Sequence, residues 1–232
     1  MINPAEPSIN ASIVDLDALV LSRAIHAREL SCREVMQAYL AQIERCNPLV
    51  NALVSLGDPE ALLEQADERD RQLAQGQSMG WMHGMPQAIK DLAATAGMTT
   101  SMGSPLFAEH VPQGDAISVA RVRASGAIIV GKSNVPEFGL GSHTYNQLFG
   151  TTGNAYDSTL CAGGSSGGAA VALALRMLPV ADGSDMMGSL RNPAAFNNVF
   201  GMRPSQGRVP FGPTPEPVSY THLRAHETRE DL

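Results

Sequence analysis

The 232-residue sequence predicts an α/β fold, a mixed β-sheet covered by helices. Three observations carry that expectation. The first 80 residues hold two runs of helical periodicity with clear cap signals. From Gly84 onward short apolar bursts alternate with helix-like segments and Gly/Ser-rich loops. Apolar residues make up 44% and charged residues 17%, the balance of an ordinary globular chain with a sizeable core.

The elements follow in order. Ser31 and Glu34 form an S-x-x-E capping box, and Val35, Met36, Tyr39, Leu40 and Ile43 recur at helical spacing until Asn47-Pro48, where the helix is expected to stop. Residues 51–56 (NALVSL) read as a short strand. Asp58-Pro59 opens a second, polar helix with Leu62, Leu63, Ala66 and Leu73 on one side, ending near Gly76. Residues 86–89 are expected to form a buried strand leading into Lys90-Asp91, 116–125 a helix, and 127–130 (AIIV) a second strand ending at Gly131-Lys132. A long loop over 133–164, a small-residue helix over 168–176 and a third strand over 178–181 (LPVA) complete the pattern. The domain reading is a helical preface (1–80), a core (81–217) and a tail (218–232). The tail, VSYTHLRAHETREDL, carries five charged residues and two of the six histidines, builds no further element and reads as non-native.

Composition narrows the function classes. A net charge of −7 and a pI near 5.3 argue against direct nucleic-acid binding, which needs clustered Lys and Arg. No run approaches the roughly 18 apolar residues of a membrane span, and no basic-then-apolar leader opens the chain, so a cytoplasmic protein is expected. The three cysteines, Cys32, Cys46 and Cys161, suit neither a disulfide framework nor a zinc site, and no cofactor is expected. Of 16 Lys and Arg residues only Lys90 and Lys132 are Lys. Lysine, unlike arginine, can lose its proton when desolvated and act as a base.

The densest chemical signal runs from Ala162 to Pro193. Two Gly-flanked serine clusters sit 24 residues apart, Ser165 to Ser189. Glycine beside serine lets a substrate approach the main chain, and consecutive N–H groups in such a loop can converge on an oxyanion. GGSSGG lacks the GK[ST] of a phosphate loop. Gly163 to Gly167 matches G-x-S-x-G, but the only later histidines, His222 and His226, lie in the tail. His83, His110 and His143 show no partner pattern. Lys90 remains as a base: free lysine titrates near 10.4, so holding it neutral at pH 7 takes about 4–5 kcal/mol of environment, which burial can supply. An ordinary surface lysine is the alternative.

Several ordered blocks then carry a resemblance: Gly84-Met85-Pro86 through Lys90-Asp91, TAGMTTSMGS at 95–104, GAIIVGKSNVPEFG at 126–139, AGGSSGG at 162–168 and GSDMMGSLRNPA at 183–194. Over residues 19–215 the chain resembles the amidase signature family. The resemblance implies the amidase-signature fold with its C-terminal part missing, and a Ser–cis-Ser–Lys triad. Ser189 would be the nucleophile, Ser165 a proton relay on a cis peptide bond and Lys90 the general base. Backbone N–H groups of Met186, Met187, Gly188 and Ser189 would form the oxyanion hole, with Ser166, Asp185 and Arg191 in support. The family usually has two glycines before the nucleophile where this chain has Met187-Gly188, so a side chain would stand at the mouth of that hole. The implied activity is hydrolysis of a small-molecule amide to carboxylate and ammonia or amine. The alternatives are the glutaminase-type component of a tRNA-dependent amidotransferase and an inactive truncated fragment. The 232-residue chain itself is expected to be poorly soluble or weakly active; the sequence leaves a homo-oligomer open.

Overall fold

The computed structural model describes residues 13–210; the tail at 218–232 lies outside them. Among the described residues two named helices precede the sheet. Helix α1 (Ala18–His26) is capped by Asp17, whose side chain accepts from Val20 N–H at 2.8 Å. It lies before the first element the periodicity picks out, and its buried Leu21, Ala24 and Ile25 show the i, i+3, i+4 spacing that marks it. Helix α2 (Cys32–Val50) begins with the expected capping box: Ser31 Oγ accepts from Glu34 N–H at 3.1 Å and Glu34 Oε2 from Ser31 N–H at 2.9 Å.

Helix α2 does not stop at Asn47-Pro48. Pro48 lies inside it, and the helix ends on Asn51 in the left-handed conformation, φ 52°. Asn47 makes this last turn worthwhile. Its carbonyl accepts from Asn51 N–H at 2.7 Å, and its side-chain oxygen accepts from Ala52 and Leu53 N–H at 3.0 and 2.8 Å. The next strand is thereby tied to the helix end. That strand, β1 (Leu53–Val54), is shorter than expected. Helix α3 (Pro59–Ala74) follows, with Asp58 as N-cap and Pro59 in its first turn.

Strands β2 (Pro86–Lys90) and β3 (Ile128–Ser133), joined through helix α4 (Ile117–Ala124), complete a three-stranded sheet in the order β1-β3-β2. β1 is antiparallel to β3 and β2 parallel to it, so the sheet is mixed. Every residue of β2 and β3 is buried. The register slips between Gln87, paired with Ile129, and Ala88, paired with Gly131; Val130 is an extra residue without a partner on β2. Such a bulge turns over the facing of everything after it.

The expected loop over 133–164 contains a hairpin, β4 (Tyr145–Asn146) with β5 (Gly150–Thr151), and a bridge from Gly153 to Cys161. Asn146 shapes the turn, its side-chain oxygen accepting from Leu148 and Phe149 N–H. Helix α5 (Gly167–Ala174) runs buried through the core against the three strands of the sheet. Among the described residues no strand runs over 178–181: Ala181 alone is bridged, and the buried segment before it is irregular, Pro179 having no N–H to give to a ladder. Helix α6 (Arg191–Phe196) follows the second serine cluster.

Small residues in α5 are a packing requirement. A Cβ on Gly168 would overlap both the Ala52 carbonyl oxygen and the Asn134 nitrogen, which are hydrogen-bonded to each other at 2.9 Å. Both obstacles are backbone and cannot swing aside. Gly168→Ala is therefore expected to destabilise the fold by about 3 kcal/mol, read as a fall of roughly 6–12 °C in the unfolding midpoint.

Candidate active site

Lys90 ends β2 and points onto the face that carries α5. Its side chain is 1% exposed. Nζ lies 2.9 Å from Ser165 Oγ, 2.8 Å from Ser166 Oγ, 2.8 Å from Ser184 Oγ and 3.4 Å from the Ser184 carbonyl oxygen. An amine buried on an apolar strand is thus ringed by three hydroxyl groups. Burial pulls its pKa down to about 7, against the opposing pull of Asp182 and Asp185.

The two serine clusters meet because Ser166, the residue before α5, donates its N–H to the Ser189 carbonyl at 2.9 Å. The Gly164–Ser165 peptide is cis. Glycine at 163 and 164 is required by close approach: a Cβ at Gly163 would stand 2.9 Å from Pro193 Cα, and one at Gly164 2.9 Å from His143 N. Ser165 and Ser166 are buried, while Ser189 is half-buried.

Asp185 organises the loop before Ser189. Fully buried, it accepts from Gly188, Leu190 and Arg191 N–H at 2.7, 3.2 and 3.2 Å, and pairs with Arg191 through Nε at 2.9 Å and Nη2 at 3.0 Å. Burial opposes its ionisation, but the Arg191 fork and the backbone donors hold its carboxyl below the usual carboxylate range. Gly188 adopts φ 111°, and a Cβ there would stand 2.7 Å from Asn192 Nδ2. Met187 stays outside the positive-φ region, and its side chain is 81% exposed. Gly188 N–H, the third backbone donor expected of the oxyanion hole, is engaged by Asp185 instead.

Two polar residues at this site escaped the sequence reading. Ser184 supplies the third hydroxyl around Lys90. Asp182 accepts from Lys90 N–H at 2.8 Å and fixes the end of β2; burial pushes its carboxyl up to about 6 despite that bond. A carboxylate directly after the apolar run LPVA was the available signal for Asp182. Among the histidines, His83 is buried, with Nε2 against the Arg69 carbonyl at 2.9 Å and Nδ1 accepting from Met79 N–H, a structural clamp. His143 does have a partner: its Nδ1 lies 3.3 Å from Cys161 Sγ, on the outer wall of the Gly163–Gly164 loop. Among the described residues no three His, Cys, Asp or Glu side chains gather as a metal site, and no helix is long and apolar enough to cross a membrane.

A mixed α/β scaffold that buries a lysine among serines defines a class that comparison with known proteins makes explicit. The chain belongs to the amidase signature family: a family model described as Amidase matches residues 34–224. It is 43% identical over 194 residues to the glutamyl-tRNA(Gln) amidotransferase A-subunit of Thermus thermophilus, covering 82% of this chain and 39% of that protein. Among solved structures it is similar to a crystal structure of an amidase, at TM-score 0.83 and 36% identity over 92% of this chain and 49% of that one. It is also similar to fatty acid amide hydrolase, at TM-score 0.88 and 26% identity over 96% of this chain and 40% of that one. The chain spans about 40% of the length of the curated relatives it matches.

Proposed function

We propose that this chain carries the catalytic side chains of an amide hydrolase, concentrated in the core segment 81–217 behind the helical preface 1–80. Ser189 Oγ attacks the amide carbonyl carbon. Its proton passes through the Ser165 hydroxyl to the neutral amine of Lys90, and the same path returns a proton to the leaving nitrogen as the C–N bond breaks. Water then cleaves the resulting acyl-serine, releasing a carboxylate and regenerating the hydroxyl. The developing oxyanion is held by the N–H groups of Met186, Met187 and Ser189. Ser166 and Ser184 keep Lys90 Nζ in place. Asp185, gripped by Arg191, shapes the loop that presents Ser189.

The observation that carries this reading is Lys90 Nζ, buried and 2.9 Å from Ser165 Oγ with a pKa near 7. A group with that pKa is about half neutral at pH 7, whereas a free lysine is about 0.04% neutral. The exposed Met187 beside the oxyanion donors narrows the acyl side of the site, which favours small or slender acyl groups.

A second reading is favoured by the sequence relatives, which are A-subunits of glutamyl-tRNA(Gln) amidotransferases. There the same chemistry would release ammonia from an amide side chain for transfer to a partner. Assaying ammonia release from simple carboxamides and from glutamine, with the 232-residue chain alone and with tRNA and partner proteins added, separates the two. Turnover of simple amides without any partner supports the hydrolase; release from glutamine only in the presence of tRNA and partner proteins supports the second reading.

A further inference from the structure

Lys132, the other lysine of this chain, takes no part in the steps above, yet it is fully buried. Its Nζ donates to the Ala93 carbonyl at 2.7 Å, Thr95 Oγ1 at 2.8 Å and Thr100 Oγ1 at 3.1 Å. Both threonine hydroxyls donate their own hydrogens elsewhere, Thr95 to the Ala93 carbonyl at 3.1 Å and Thr100 to the Met98 carbonyl at 3.4 Å. All three partners of Nζ therefore act as acceptors. An ammonium has three N–H donors and no acceptor, so the match is complete. Around Lys90 the partners are three hydroxyl groups and, at 3.4 Å, the Ser184 carbonyl; Ser166 Oγ donates to that carbonyl at 3.3 Å, and the hydroxyls of Ser165 and Ser184 remain able to donate or accept. One lysine is built as a fixed cation and the other as a group that can change protonation.

The β3 bulge separates them. By simple alternation Lys132 would share the face of Ile128 and Val130, which pack in the main core. With Val130 unpartnered, Lys132 instead pairs with Ile89 and Ser133 with Lys90, so the two lysines emerge on opposite faces of the sheet. On the Lys132 side lie Ile89, Val119 and Ile129, with Ala93 and Met98 against them.

What Lys132 grips is the turn that leaves Lys90. The Lys90 carbonyl accepts from Leu92 and Ala93 N–H at 2.7 and 3.0 Å, and the Ala93 carbonyl is the shortest contact of Lys132. Asp91, next in the chain to Lys90, accepts from Ser101 N–H and Oγ at 3.1 and 2.6 Å and from Gly103 N–H at 3.3 Å, with Lys132 Nζ 4.0 Å from its Oδ1. The buried carboxylate and the buried ammonium thus close the turn over the end of β2.

We propose that Lys132 is a positioning residue: from the back of the sheet it clamps the turn at 91–103 and so keeps Lys90 sealed among Ser165, Ser166 and Ser184. The proposal rests on the reading of Lys90 as the base. The charges that act on Lys132 are Asp91, Asp182, Asp115 and Arg123, and those that act on Lys90 are Asp182 and Asp185. Burial pulls Lys132 down to about 8, which leaves it charged at neutrality. Loss of the clamp admits water to Lys90 and relaxes its titration back toward that of free lysine.

A two-lysine chain allows a direct test. Lysine labelled with 13C at Cε gives two signals in the wild-type chain and one, that of Lys90, in Lys132→Met. The Lys90 midpoint is expected to rise by about one pH unit in Lys132→Met, with an about fivefold slower reaction of Ser189 with a fluorophosphonate at pH 7. A midpoint that stays put or falls in a folded Lys132→Met protein overturns the proposal. Should that variant fail to fold, Thr100→Val, which keeps the cation and removes one acceptor, decides: a rise of about 0.3 units is expected, and no rise overturns the proposal. A wild-type Lys90 signal titrating near 10.4 would instead sink the base reading, whereas a wild-type midpoint near 7 that the variants leave unmoved sinks the clamp alone.

Discussion

Lys90→Met is expected to lower reaction at Ser189 by about 10³–10⁴-fold at pH 7 while raising the unfolding midpoint by about 3–6 °C. The two effects share one cause. Lys90 is 1% exposed, and its pKa of about 7 lies well below that of lysine in the unfolded chain, near 10.4. Below pH 7 both states carry the proton, and the folded state bears the full cost of a buried charge. Between pH 7 and about 10.4 the unfolded state holds more protons than the folded one, so stability gains with rising pH across that window. The corresponding free energy is about 4–5 kcal/mol, offset in part by the hydrogen bonds of Nζ to three hydroxyls, which leaves a net gain for methionine of about 1–2 kcal/mol. The stability gap between variant and wild type should therefore be widest below pH 7 and shrink toward pH 10. Differential scanning calorimetry of both proteins at pH 6, 8 and 10 reads it. A variant less stable than wild type throughout would mean that Lys90 holds the fold together rather than being held by it.

Ser189→Ala is expected to abolish covalent labelling by a fluorophosphonate, a loss of at least about 10⁴-fold, with the fold intact. Ser189 is half-buried at the end of the loop organised by Asp185, and its carbonyl, not its side chain, ties that loop to Ser166. Alanine keeps the carbonyl, so the junction between the two serine clusters survives. Ser165→Ala should behave differently. It removes the hydroxyl proposed to relay the proton to Lys90, so labelling is expected still to fall on Ser189 but about 10²–10³-fold more slowly. Intact-mass measurement after a timed reaction distinguishes no adduct from a slow one.

Much of this arrangement could be read from local sequence. The Ser31–Glu34 box, the Asp58-Pro59 start of α3, strand β2 and the small-residue helix α5 rest on signals within a few residues, and all stand in the structure. Lys90, singled out for residue type, lies within hydrogen-bond reach of both Ser165 and Ser166, singled out for their glycine context. What could not be read rests on interactions that no periodicity marks. Helix α2 passes Pro48 because Asn47 joins it to β1, and 178–181 fails as a strand although its apolar run looks like one. The hairpin at 145–151 takes its shape from Asn146, whose amide reaches Asn134 and the Val135 carbonyl. Ser184 and Asp182 were hidden because nothing local says that their segment returns to Lys90. The facing of Lys132 turns on a single bulged residue, Val130, which no periodicity reveals.

The central claim is that a buried, neutral Lys90 drives Ser189 through Ser165. The measurement that bears on it most directly is the pH dependence of fluorophosphonate reaction, with the modified residue located by peptide mapping. The account predicts an adduct on Ser189 alone, forming at a rate that rises through a single ionisation near pH 7 and vanishes in Lys90→Met. An adduct on another residue, or a rate on Ser189 that is flat from pH 6 to 9 and unaffected by Lys90→Met, would contradict it.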